Sequence, residues 1–300
     1  MSRPAAPVLA ALLAGAIAPA VATQARFQAG VELVAMDVCA TDRSGRAVPI
    51  GAEDLAMFDN GVRQQISIFS PGDRVPLAVT LLIDSSQSMH GGLLDRATRA
   101  ANALIERLPP DSLVEVMSFN DHPTVRYPMG GDPREAAYAL ADMSPIGGTA
   151  LYEAVIVAIR DQQHEARQRS ASHRQVIVLL TDGENTAGRL NFDEVLDEAR
   201  RSDILIYPVV LPPHDAPASG PPWRMTQLAV DTGGKLVAAR PADDLTSIYE
   251  EIAADVRNLY RVGYVPSPLV RDGAWHQVQV RALGKDLVLR TRSGYYAPSP

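Results

Sequence analysis

The 300-residue chain has one cysteine, Cys39. A lone cysteine cannot close an internal disulfide, so stability has to come from packing. Lysine is almost as scarce: apart from Lys235 and Lys285, the basic charge is arginine. The formal net charge is −7 and no basic run occurs, which argues against nucleic acid as a partner. His164-Glu165 lacks the second histidine of a zinc-protease helix, and His90, His122, His173, His214 and His276 are scattered. There is no glycine-rich phosphate loop and no G-x-S-x-G nucleophile elbow. Aromatics make up 5% of the chain, and Trp223, Trp275, Tyr295 and Tyr296 read as packing groups. Beyond the N-terminus no apolar run is long enough to span a membrane.

What is present begins with apolar residues at 46% and a mean hydropathy of −0.04, the profile of a globular chain with a real core. Residues 1–22 stand apart. Arg3 is a short basic start, Val8 to Ile17 is apolar, and Ala20-Val21-Ala22 is a small-x-small cleavage pattern. This is the outline of a secretory signal peptide cleaved after Ala22. It predicts a secreted or periplasmic protein, one unit more acidic once Arg3 is removed, with no transmembrane segment after cleavage. Cys39 lies too far downstream to be a lipid anchor and reads as a small buried hydrophobe.

Residues 27–72 have β character. Val31 to Val38 is a candidate strand, and Leu55–Phe58 and Gln65–Phe69 flank Asp59-Asn60-Gly61, a hairpin signal. From residue 76 to about 260 strands and helices alternate. Buried-strand patterns occur at Leu77–Ile83, Ser112–Phe119, Gln175–Leu180 and Ile204–Leu211, with a candidate edge strand at His122–Tyr127. Helical spacing marks Leu93–Leu108, Thr149–Ile159, Phe192–Ser202, Trp223–Asp231 and Leu245–Leu259. Such alternation predicts an α/β fold, a mostly parallel sheet with helices on both faces. Residues 261–297 return to β character, and the two flanking β segments are expected to combine into one small β-sandwich.

The chemistry gathers at the C-terminal ends of strands, where open α/β sheets bind ligands. Asp84-Ser85-Ser86-Gln87-Ser88 follows the first buried strand, Gly147-Gly148-Thr149 opens a helix, and Thr181-Asp182-Gly183 ends another strand. Asp84, Ser86, Ser88, Thr149 and Asp182 supply only oxygen atoms. That donor set suits a hard cation, Mg²⁺, Mn²⁺ or Ca²⁺, rather than zinc. Asn120, Asp121 and Glu184 are candidates for the rim, although turn chemistry explains the first two equally well.

This order of residues resembles the von Willebrand factor A domain and its metal-ion-dependent adhesion site. Asp84-x-Ser86-x-Ser88, Thr149 and Asp182 fill all five motif positions, and the likeness covers about residues 76–260. Gln87 stands where many relatives have glycine, at a position that is not a ligand in the family. More loosely, the chain is similar to secreted bacterial proteins, first described in acidobacteria, that carry a β segment on either side of such a domain. The resemblance implies a Rossmann-like fold. It also implies a non-enzymatic binding module in which the serines and the threonine hold the ion, the aspartates act directly or through water, and a protein partner completes the shell with a Glu or Asp.

Two other readings stay open at this stage. A hydrolase would pair Ser86 or Ser88 with His90 and Asp182. A scaffold would use the metal structurally and make its contacts through the sandwich.

Overall fold

A computed structural model describes residues 32–71, 75–169, 173–211, 222–239, 243 and 245–299. The expected signal peptide, residues 1–22, lies outside them.

The N-terminal β segment forms four strands: β1 (Val34–Thr41), β2 (Leu55–Asp59), β3 (Val62–Gln64) and β4 (Ile66–Pro71). Asn60 and Gly61 turn β2 into β3 with φ values of 45° and 81°. Positive φ at both central residues is what a two-residue hairpin needs to match strand twist. The strand that returns from this turn differs from the expected one. Val62–Gln64 pairs with β2, with Asp59 opposite Val62, whereas Ile66–Pro71 leaves for another sheet. A two-residue turn forces pairing with the residues immediately after it, and β4 is then free to cross over.

The α/β unit follows. Its elements are β5 (Leu77–Asp84), α1 (Leu93–Ile105), β6 (Leu113–Phe119), β7 (Pro123–Gly130), α2 (Pro133–Tyr138), α3 (Leu151–Gln168), β8 (Arg174–Thr181), α4 (Phe192–Arg201), β9 (Leu205–Val210), α5 (Trp223–Thr232), β10 (Val237–Ala238) and α6 (Leu245–Arg257). The sheet order is β10-β9-β8-β5-β6-β7, all parallel except the edge strand β7. Every residue of β5 is buried, because helices cover both faces. Leu81 and Ile83 point into a core with α1 and α6, and Leu82 into a second core with α3 and α4. The chain leaves β5 for β6 on one side and reaches β8 on the other, so β5 is where the strand order reverses. A crevice opens at the carboxyl ends of strands at such a point.

The C-terminal segment adds β11 (Leu259–Tyr264), β12 (Trp275–Ala282), β13 (Val288–Arg290) and β14 (Gly294–Tyr296). The two β segments interleave in two four-stranded sheets, β13-β1-β11-β4 and β14-β12-β2-β3. Their shared core includes Met36, Val38, Met57, Val262, Tyr264 and Val278, so they form the expected sandwich. Inside it Asp59 accepts hydrogen bonds from the Tyr264 and Tyr295 hydroxyls at 2.9 and 2.8 Å and lies 2.9 Å from His276 Nδ1. These partners satisfy a carboxylate whose burial alone would be costly.

Ion pairs weld the sandwich to the α/β unit. Asp37 of β1 holds Arg174 of β8 at 2.8 Å and Arg261 of β11 at 3.1 Å. Asp255 of α6 takes the Tyr207 hydroxyl at 2.6 Å and pairs with Arg290 of β13. Asp231 joins Arg200 at 2.6 Å and the Ser293 hydroxyl at 3.0 Å. Burial pushes the Cys39 thiol up to about 11, and the Asp255 charge beside it pushes the same way. Cys39 is therefore a quiet member of this junction, not a reactive thiol.

Candidate functional site

Asp84 ends β5 and is fully buried. Its Oδ1 accepts the Ser86 backbone N–H at 2.9 Å and its Oδ2 accepts the Thr181 hydroxyl at 2.7 Å. Burial raises its carboxyl to about 6, hydrogen bonds from Ser86 and Thr181 pull it back, and the nearby negative charge of Asp182 pushes it up. The parallel register explains the approach of the two aspartates. Ile83 of β5 lies beside Leu180 of β8, so both chains run out of the sheet at one height and deliver Asp84 and Asp182 to the same crevice.

The other donors are fixed by hydrogen bonds between loops. Ser86 Oγ lies 3.0 Å from Ser88 Oγ. The Gln87 N–H donates to the Gly147 carbonyl at 3.0 Å and the Ile146 N–H to the Ser85 carbonyl at 2.9 Å, which ties the first loop to the second. The N–H groups of Thr186 and Ala187 both donate to the Thr149 carbonyl at 3.0 Å, which ties the second loop to the third. Ser86 and Thr149 are buried, Ser88 is half-buried, and Asp182 sits at 9% exposure. The five positions read from the sequence are therefore carried on three cross-laced loops at one end of the sheet.

The rim candidates divide. Asp121 is committed to support: its Oδ1 accepts the Gly148 N–H at 2.8 Å. The Asn120 carbonyl accepts the Ala150 N–H at 2.6 Å, while its side chain accepts the His122 N–H at 3.4 Å. Glu184 is exposed beside Asp182, to which its own N–H donates at 3.2 Å. Three supporting residues had no role assigned from the sequence. Thr181 orients Asp84, Thr186 Oγ1 accepts the Thr149 N–H at 2.9 Å, and Asn185 Oδ1 accepts the Tyr152 N–H at 3.1 Å. Asn185 thereby caps α3, which its own N-cap residue, Ala150, leaves without a side-chain cap. The Thr-Asp-Gly sequence offered a signal for Thr181; a cap borrowed from a distant loop leaves none.

His90 does not meet a serine. Its Nδ1 lies 2.9 Å from the Gln87 carbonyl oxygen, which can only accept, so that nitrogen carries the proton. Among the described residues no group of three His, Cys, Asp or Glu side chains is placed to hold a metal. The donor set here is different, two carboxylates and three hydroxyls. All are hard oxygen ligands, and with water they approach the octahedral complement of magnesium. The residues present thus fit a divalent cation of the Mg²⁺ class.

Residues 79–184 match the family model for the von Willebrand factor type A domain. The chain carries a type A domain. An uncharacterized protein of Synechocystis sp. is 34% identical over 118 residues, 38% of this chain and 27% of that protein. The human inter-alpha-trypsin inhibitor heavy chain H4 is 23% identical over 228 residues, 72% of this chain and 24% of that one. The matches thus span about a quarter of the length of these curated relatives. Among solved structures, the von Willebrand factor type A protein of Catenulispora acidiphila superposes with a TM-score of 0.54 at 14% identity, over 82% of this chain and 74% of that one. The PilB minor pilin of Streptococcus sanguinis, as its D319A mutant, reaches 0.50 at 13% identity, over 62% of each chain. At these identities the likeness is one of fold. The type A domain is built around β5 and β8, the strands that present Asp84 and Asp182. No helix among the described residues is long and apolar enough to cross a membrane.

Proposed function

We propose that this protein is a secreted or periplasmic, non-enzymatic binding module whose type A domain engages a protein partner through a divalent cation. Asp84, Ser86, Ser88, Thr149 and Asp182 would hold the ion, Mg²⁺ or in its place Mn²⁺ or Ca²⁺. The bound ion supplies a positive centre for a Glu or Asp of the partner. One observation carries the reading: two carboxylates and three hydroxyls, brought by three loops, share the crevice where the sheet order reverses. Facing carboxylates repel one another, and a cation relieves that cost. Placing the hydroxyls on loops braced by backbone hydrogen bonds keeps them in position before the ion arrives. Adhesion-related neighbours such as the PilB minor pilin agree with partner binding, and His90, engaged with a carbonyl, offers Ser86 no base.

Titration calorimetry with Mg²⁺ tests the assignment. Asp84→Ala and Thr149→Ala should abolish ion binding while circular dichroism stays native. Normal affinity in both variants would sink the site.

A further inference from the structure

The metal-site reading leaves open what a partner needs besides a carboxylate, and the surface beside the third loop answers part of that. A Cβ built on Gly183, the residue after Asp182, would come within 3.0 Å of Pro222 Cγ, so the start of α5 packs directly against the loop that carries Asp182. The next residue, Trp223, is 63% exposed. It is nevertheless held in place. Its ring meets Phe192 edge-on at 5.3 Å, and Phe192 meets Tyr152 at 6.0 Å, while the Tyr152 backbone N–H is bonded to Asn185 of the same loop. The exposed Arg224 lays its guanidinium 5.1 Å from the Trp223 ring centre and has no ion pair among the described residues. On the second loop Ile146 is 62% exposed, with its N–H tied to Ser85 of the first loop.

A large indole left in water forgoes burial worth about 2 kcal/mol or more. Fixed Trp and Arg side chains are the groups that most often dominate protein interfaces. Here both sit beside a site that itself selects negative charge, and Arg224 extends that selection. We propose that Trp223, Arg224 and Ile146 form the specificity surface of the site, and that it takes an acidic segment of a protein. One carboxylate of the segment would enter the metal site, a second would pair with Arg224, and an apolar side chain near them would cover Trp223 and Ile146. This inference rests on the metal-site reading.

The test uses the full mature chain with Mg²⁺ and a synthetic peptide array with one glutamate held fixed and the flanking positions varied. The expected result is selection of a second acidic residue and an aromatic or large aliphatic one. The best peptide is then titrated against variants. Arg224→Gln and Trp223→Ala should weaken it about tenfold each, while their Mg²⁺ affinity by calorimetry matches the wild type. Trp223→Phe should recover most of the loss, and Asp84→Ala should lose both ion and peptide. Mg²⁺ uptake with no flanking preference, or peptide binding unchanged in Arg224→Gln and Trp223→Ala, would overturn the surface and leave the metal site standing. No Mg²⁺ uptake by the wild type would overturn both.

Discussion

Replacing Asp37 with alanine should loosen the junction between the sandwich and the type A domain. The Asp37 and Arg174 side chains are each only 3% exposed and lie 2.8 Å apart. Removing one partner of such a pair strands the other charge and costs about 3–5 kcal/mol. Two features place this site toward the lower end. Arg174 keeps a hydrogen bond to the Val256 carbonyl at 3.0 Å, and it borders a cavity of about 540 Å³ into which it can turn. Arg261, 36% exposed, adds less than about 1 kcal/mol. The expected loss is therefore about 3 kcal/mol, or roughly 6 °C in Tm at about 2 °C per kcal/mol for a chain of this size. Thermal unfolding followed by circular dichroism reads it directly. The double variant Asp37→Ala/Arg174→Met should recover most of the loss, because it removes the stranded charge. A wild-type midpoint in Asp37→Ala, or a double variant no better than the single, would refute the reasoning.

Two further outcomes follow from the same coordinates. Glu115 is buried in β6, and burial first, then the charges of Asp161 and Glu165, raise its carboxyl to about 8 from the usual 4.5. The folded state therefore holds a proton that the unfolded state releases, so this stabilisation is complete below about 4.5 and is lost as pH rises toward 8. Glu115→Gln still accepts the Thr80 hydroxyl, now at 2.7 Å, without titrating, so its stability relative to wild type should climb across that window in denaturant melts; parallel pH profiles would contradict this. Gly147 has φ of +79°, and a Cβ there would fall 2.3 Å from Asp121 Oδ2. Gly147→Ala should cost about 1–2 kcal/mol of strain and weaken Mg²⁺ binding, because the Gly147 carbonyl anchors Gln87; unchanged calorimetry would count against that coupling.

Much of this protein was legible in the chain itself because the signals are local. An unbroken apolar run such as Leu77–Ile83 can only be a strand covered on both faces, and whatever follows it must lie at the end of the sheet. That places Asp84, Ser86 and Ser88, and the same logic places Asp182. Asn60-Gly61 announced its turn, since few other pairs accept two positive φ values. The tertiary structure decided the rest. Which strand follows the hairpin, and how β1 comes to lie between β11 and β13, depend on pairing between residues more than two hundred positions apart, and such registers leave no local trace. The supporting roles are of the same kind. Asp121 reads as an ordinary turn residue until Gly148 is brought to it, and Asn185 as loop until α3 is found without a cap of its own. Asp37 is a charge in the middle of a strand until Arg174 arrives from the other end of the fold. Sequence patterns determine which groups stand at the end of the sheet, whereas only packing determines which groups hold them there.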